Sequence, residues 1–161
     1  MSVQIFATGG TIAKRYDEIS GELVFDEDLP QKIFKRARST ACFDIRTLML
    51  KDSLDMDEID TEAIYEAVRD SNYDRILILH GTDTMVDTAH KLADIKSKTI
   101  VLTGAMIPFS FKNSDALFNV GMALGALEIL DKGVYIVMNA RIFSYDDVVK
   151  DKNRGEFTVK K

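Results

Sequence analysis

The chain has one cysteine, no tryptophan, two prolines and two histidines among its 161 residues. A lone Cys42 excludes an internal disulfide and any cysteine-built metal site, and it fits a reducing cytoplasm. His80 and His90 have no cysteine near them, a pattern too sparse for a metal constellation. Basic charge is also short: 21 Lys and Arg against 26 Asp and Glu leave a net charge of -5. That balance argues against a nucleic-acid partner or an anionic membrane surface. No apolar run approaches the roughly 18 residues of a membrane span, and the first residues lack the basic and apolar regions of a secretory leader. The chain is therefore expected to stay in the cytoplasm. The dinucleotide pattern G-x-G-x-x-G and the phosphate-binding pattern G-x-x-x-x-G-K-[ST] are both missing, so a dinucleotide or phosphate role is poorly supported. Repeats, low-complexity runs and linkers are missing too, so one domain over residues 1–161 is expected.

What remains is an alternation of short apolar runs with helical stripes. Strand runs are read at Val3–Phe6, Phe43–Leu50, Arg75–Leu79, Thr99–Leu102 and Val134–Met138. Between them Ile59, Ala63, Ile64, Ala67 and Val68 recur at helical spacing, and further helices are expected over Leu29–Ala37, Met85–Ile95 and Asp115–Leu130. Pro30 suits the first turn of its helix. Apolar runs of four to six residues separated by helices of ten or more are the pattern of parallel strands covered on both faces. The fold class is thus α/β, doubly wound, a mainly parallel sheet of about five strands with helices on both faces. Lys14–Phe25 reads as an irregular or hairpin-like excursion around Ser20-Gly21, the best candidate for a mobile loop. The tail from Arg141 reads as polar, with Phe157-Thr158-Val159 as a short edge strand.

Two threonine-bearing turns carry most of the functional information: Ala7-Thr8-Gly9-Gly10-Thr11-Ile12-Ala13 and His80-Gly81-Thr82-Asp83-Thr84-Met85. Each follows an apolar strand run, so both should open at C-terminal strand ends, where open α/β sheets bind ligands. Paired hydroxyls beside a carboxylate suit nucleophilic chemistry on a small molecule. Structural roles account for parts of the same pattern. Gly9-Gly10 can be a plain βα turn with Thr8 or Thr11 as its hydroxyl. Thr84 with Asp87, and Asp55 with Glu58, can be helix-start boxes, and Asp83 can serve a helix N-terminus. Ser53 lies on the ligand edge and is less easily explained by capping. His80 reads as a strand-end core histidine, His90 as a solvated helix residue, and Lys150 as one charge among many.

Taken together, these segments resemble the bacterial-type L-asparaginases, the asparaginase/glutaminase amidohydrolases. The two threonine turns match the family's two signatures. Thr103-Gly104-Ala105-Met106, Ser114-Asp115-Ala116-Leu117-Phe118-Asn119, Val137-Met138-Asn139 and Asp147-Val148-Val149-Lys150 follow in the family's order. The resemblance implies L-asparagine hydrolysis to L-aspartate and ammonia without a metal or cofactor. Thr11 would be the nucleophile, with Tyr16 accepting or relaying its proton. Thr82, Asp83 and Lys150 would form a second triad, the Thr82 backbone N–H would stabilise the oxyanion, Asp83 would pair with the substrate α-ammonium, and Ser53 would bind its α-carboxylate.

The chain departs from the family pattern in two ways. Leu54 stands where the family usually has glutamine, which removes an acceptor for the α-ammonium and leaves the choice between asparagine and glutamine open. The resemblance also reaches only the family's N-terminal domain, whereas in longer members a C-terminal domain of a neighbouring subunit closes the site. The expectation is a homodimer or homotetramer acting on a small amino-acid amide. The alternative is a non-catalytic amino-acid-binding or regulatory module derived from an asparaginase.

Overall fold

The computed structural model describes residues 2–160. The first strand, β1 (Ser2–Gly9), is buried along almost its whole length, and on either side of it lie β4 (Cys42–Lys51) and β5 (Arg75–Leu79), both parallel to it. β6 (Thr99–Thr103) and β7 (Gly133–Met138) extend the parallel array beyond β5. β8 (Arg141–Ser144) closes that edge antiparallel to β7, giving a six-stranded sheet in the order β4-β1-β5-β6-β7-β8.

Helices cover both faces, as the continuous apolar strands require. On one face α1 (Leu29–Arg36) and α4 (Ala116–Ile129) bury Ile33, Phe34, Val120 and Leu127 against Val3, Ile5, Leu77 and Val101. On the other, α2 (Glu58–Asp70) and α3 (Met85–Lys91) set Ile64, Val68, Met85 and Leu92 against Phe6, Ile76, Ile78 and Ile100. The Lys14–Phe25 excursion is a hairpin, β2 (Lys14–Asp17) with β3 (Glu22–Phe25), turning at Gly21 with φ 73°.

Three expectations need correction. The segment after Arg141 is not a polar tail: β8 belongs to the main sheet, and β9 (Val148–Asp151) with β10 (Glu156–Val159) forms a separate hairpin. Phe157-Thr158-Val159 does form a short strand, within β10, but it pairs with β9 outside the main sheet, and Phe157 sits with Val148 in the core. The cause is a tight turn in which Asn139 and Ala140 both take positive φ, 54° and 60°. Asn-Ala is a disguised form of the Asn-Gly hairpin turn. The second correction is at α2, where Asp57 with Asp60 makes the capping box, both bonds being present. Asp55 instead ends a short 3-10 turn over Ser53–Asp55. Finally, Thr84 makes no cap bond to α3; its hydroxyl donates to the Ser53 carbonyl at 3.0 Å.

Candidate active site

Chain order and strand order diverge at β1. The chain runs from β1 outward to β4 and then crosses back over β1 to β5. At that reversal the connections leave in opposite directions, and a crevice opens outside the carboxyl ends of β1 and β5. Both threonine turns stand there, Thr11 just past Gly9 and Thr82 just past Leu79.

Two glycines let these loops touch. A methyl group on Gly10 would lie 2.5 Å from the Gly81 Cα and amide nitrogen, and Gly10 has φ 71°, a region that favours glycine. A methyl group on Gly81 would lie 2.6 Å from Ser53 Oγ. The backbones after β1, β5 and β4 are thus in mutual contact. The Thr8 hydroxyl adds a bond to the Leu79 carbonyl at 3.1 Å, and the Gly10 amide donates to the Lys51 carbonyl at 2.9 Å. Thr11 opens a 3-10 turn, Thr11–Ala13, and is half-buried while Ile12 and Ala13 go into the core.

The second loop is held from three directions. Lys150 Nζ donates to Thr82 Oγ1 at 2.8 Å and to Asp83 Oδ1 at 2.7 Å. Lys150 reaches them because β9 alternates: Val148 is buried, Val149 faces solvent, and Lys150 turns inward with its side chain only 10% exposed. The charge is paired where desolvation makes an unpaired ammonium costly. From β4, the Ser53 hydroxyl oxygen accepts from the Asp83 and Thr84 amides at 3.2 and 3.4 Å, which leaves its own O–H free to donate. From below, the fully buried His80 ring contacts the Gly81 carbonyl through Nδ1 at 2.7 Å and Thr88 Oγ1 through Nε2 at 2.9 Å. A carbonyl can only accept, so Nδ1 carries the hydrogen and Nε2 accepts from the Thr88 hydroxyl. Burial holds the His80 pKa below its ordinary 6.5, opposed by the bond to Gly81.

The Lys150 amine bonded to Thr82 Oγ1 leaves the threonine hydrogen free to point into the crevice, and the second oxygen of Asp83 remains open to a cationic group. Tyr16 is elsewhere. It sits on β2 opposite Leu23, 53% exposed, and its hydroxyl makes no hydrogen bond among the described residues.

Sequence reasoning assigned no role to several residues that position these groups. Lys14 pairs with Asp52 at 2.7 Å and lies over the Phe25 ring, fastening the base of the β2–β3 hairpin beside Ser53. Asp115 accepts from the Met106 and Ile107 amides at 3.0–3.1 Å and from Asn119 Nδ2 at 2.9 Å, while Asn119 also donates to the Gly104 carbonyl, so α4 anchors the loop after β6. Asp115 carried a visible signal, since it stands four residues before Asn119 at a helix start; Lys14–Asp52 carried none. Among the described residues no group of three or more His, Cys, Asp or Glu is placed to hold a metal, and no helix is long and apolar enough to cross a membrane.

Known proteins share the fold. The chain is 31% identical over 161 residues to an L-asparaginase of Thermococcus kodakarensis, covering 96% of this chain and 49% of that protein. Against the structure of the thermostable L-asparaginase from the same organism the TM-score is 0.86 at 30% identity, over 99% of this chain and 51% of the other. It is also 31% identical to a glutamyl-tRNA(Gln) amidotransferase subunit of Methanococcus vannielii, over 96% of this chain and 37% of that protein. The chain thus spans about half the length or less of these relatives. The family model described as the N-terminal part of asparaginase matches residues 2–158, and the chain belongs to the asparaginase family.

Proposed function

We propose that the chain is an amidohydrolase that converts L-asparagine to L-aspartate and ammonia through a threonine nucleophile, acting in the cytoplasm as a homo-oligomer without metal or cofactor. The observation that carries the reading is the paired bond of Lys150 to Thr82 and Asp83, in backbone contact with the Thr11 loop. A purely structural ion pair would not need a buried threonine hydroxyl as its third member.

In this reading the Thr11 oxygen attacks the side-chain amide carbon as its proton passes to Tyr16, carried on the hairpin arm. The C–N bond breaks, ammonia leaves with that proton, and an ester joins the aspartyl group to Thr11. Water, polarised by Thr82 with Lys150 and Asp83, then attacks the ester, releasing aspartate and restoring the Thr11 hydroxyl. The Thr82 backbone N–H supports the oxyanion, a donor worth on the order of 3 kcal/mol in comparable sites. Asp83, through its open oxygen, takes the α-ammonium, and the free O–H of Ser53 takes the α-carboxylate. Glutamine is the poorer substrate, because one extra methylene in a tight pocket costs about 1–3 kcal/mol. A neighbouring copy supplies the remaining polar groups around the α-ammonium, since Leu54 offers none.

Ammonia release from asparagine and from glutamine by the purified chain, with intact-mass detection of an adduct on Thr11, tests this reading. Turnover with an ester on Thr11 supports it. Binding of either amino acid without ammonia release would instead favour a non-catalytic amino-acid-binding or regulatory module. Release from glutamine alone would favour a role as an amidotransferase subunit, as the relative of Methanococcus vannielii is named.

A further inference from the structure

The two edges of the main sheet differ in a way that nothing in the site requires. β8 is a four-residue edge, short enough to offer little to another strand. β4 is ten residues long and pairs with β1 on one side only. It contains no proline, and its pairing with β1 is unbulged from Cys42 to Thr47. Its one lysine, Lys51, is at the far end and engaged with Asp60 at 2.7 Å. Along its first six residues no proline, lysine or bulge guards the edge, and the charges that stand on it are of both signs. Nor does α2 shield it: an open groove of about 420 Å³, lined by Arg46, Leu48, Ala63 and Ala67 among others, separates the strand from that helix.

The charges along this stretch are two, Asp44 and Arg46, both exposed, both on one face by the two-residue period, and neither in an ion pair among the described residues. Arg46 lies beside Glu66 and Asp70, yet both carboxylates pair with Arg69 instead. Two exposed unlike charges, two residues apart on an unpaired strand, are self-complementary under a two-fold axis. With the axis through Ile45, Asp44 faces Arg46 of a second copy and Arg46 faces its Asp44, while Phe43 faces Thr47 across the other side of the sheet. An axis through Asp44 or Arg46 would oppose like charges, which destabilises a cross-strand pair. A slip of one residue would turn the faces over.

We propose that β4 is a homodimerisation edge: two copies of this chain join antiparallel about a two-fold axis through Ile45, merging two six-stranded sheets into one continuous sheet. The contact lies at mid-strand, away from the carboxyl-end crevice, so it is separate from any contact that would complete the site.

Sedimentation equilibrium of the full chain tests it with D44R, R46D and the double reversal D44R/R46D. All the altered side chains are exposed, and circular dichroism melts confirm that the variants fold. The wild type should associate. Each single reversal opposes like charges twice across the axis and should raise the dissociation constant at least about tenfold, while the double reversal restores it to near the wild-type value. If a second contact builds a larger assembly, the single reversals should reduce it to smaller units. A monomeric wild type, association unchanged in the single variants, or no recovery in the double variant would overturn the proposal. The readout is mass, so its failure leaves the reading of the site untouched, and loss of ammonia release would not bear on the edge.

Discussion

Thr82 and Thr11 stand on adjoining loops, but the molecule holds them differently. Thr82 is buried and bonded to Lys150, its loop is braced by Ser53 and His80, and its neighbour Asp83 shares the same lysine. Thr11 is half-buried and leads straight into the β2–β3 arm, whose tip, Ile19, is 92% exposed. Among the described residues its ties lie at the base of that arm, including Lys14 to Asp52 and the Ser110 hydroxyl to the Lys14 carbonyl. One loop is therefore pre-arranged, with its donors set before anything binds, which is where electrostatic stabilisation is most effective. The other joins a segment with few buried contacts, the kind of element that opens locally and closes on ligands. In the proposed chemistry the fixed half polarises water and the oxyanion, and the half with the arm brings the nucleophile.

The strongest way to break this comparison is to remove the hydroxyls themselves. Thr11→Ala and Thr82→Ala should each lower asparagine turnover by more than about 10³-fold, and the double variant should cost little more, because groups acting as a unit are far from additive. Both variants should melt close to the wild type, since a lost loop hydroxyl leaves no large cavity. Turnover near the wild-type rate in a folded single variant would remove that threonine from the mechanism. Acyl-adduct mass separates the two: it should vanish in Thr11→Ala, and any residual adduct in Thr82→Ala should accumulate.

Lys150 sharpens the fixed half of the picture. Lys150→Met keeps the length of the side chain and removes its donors to Thr82 and Asp83. If the lysine acts chiefly in the transition state, kcat should fall by about 10²–10⁴-fold with a smaller change in KM. A change confined to KM would make it a charge that binds substrate.

Gly10 tests whether the two halves must touch. Gly10→Ala places a methyl group 2.5 Å from the Gly81 backbone at φ 71°, so both loops must shift. Misplacement of about 1 Å in such a site costs on the order of 10²-fold in rate. With ψ at 179° this backbone lies in a region essentially confined to glycine, which adds about 1–3 kcal/mol of destabilisation. Calorimetry with steady-state kinetics should show a rate loss larger than the stability loss accounts for; a fully active variant would mean that the loops work independently.

The same contrast explains what could be read in the sequence. The parallel strands were legible because burial on both faces writes continuous apolar runs, and the ligand edge followed from glycine and threonine clusters at their ends, while the switch point needed the strand order. The ends of helices were not: α3 stops at Lys91 although Leu92 and Ile95 remain buried, because core packing outlasts the helix. Lys150 looked like a surface charge since its inward turn depends on β9, and β9 depends on a turn at Asn139-Ala140 that carries no glycine. Long-range pairs such as Lys14–Asp52 leave no local pattern at all. Tyr16 marks the limit on the other side: the resemblance implies a proton relay, whereas the structure places its side chain 53% exposed on the β2–β3 arm.

The smallest expected effect concerns the brace under the fixed loop. His80 is buried with its Nδ1–H given to the Gly81 carbonyl and its Nε2 accepting from Thr88, so both ring nitrogens are spoken for in the neutral form. Burial lowers its pKa in the folded protein below 6.5, and the unfolded chain therefore binds the proton first. Stability from this group is complete above about pH 6.5 and is lost as the pH falls below that value toward the folded pKa, at up to about 1.4 kcal/mol per pH unit. Carboxylates such as Asp26, whose pKa lies below 3.8, release their share only at lower pH, which leaves the interval from pH 6.5 to 5 to the histidine. Urea unfolding across that interval should show the slope in the wild type and lose it in His80→Gln, which carries no titrating ring. If the slope persists in the variant, another group is responsible. If it is absent from the wild type, His80 accepts its proton without disturbing the Thr82 loop, and the bracing of the fixed half must come from Ser53 and Lys150 alone.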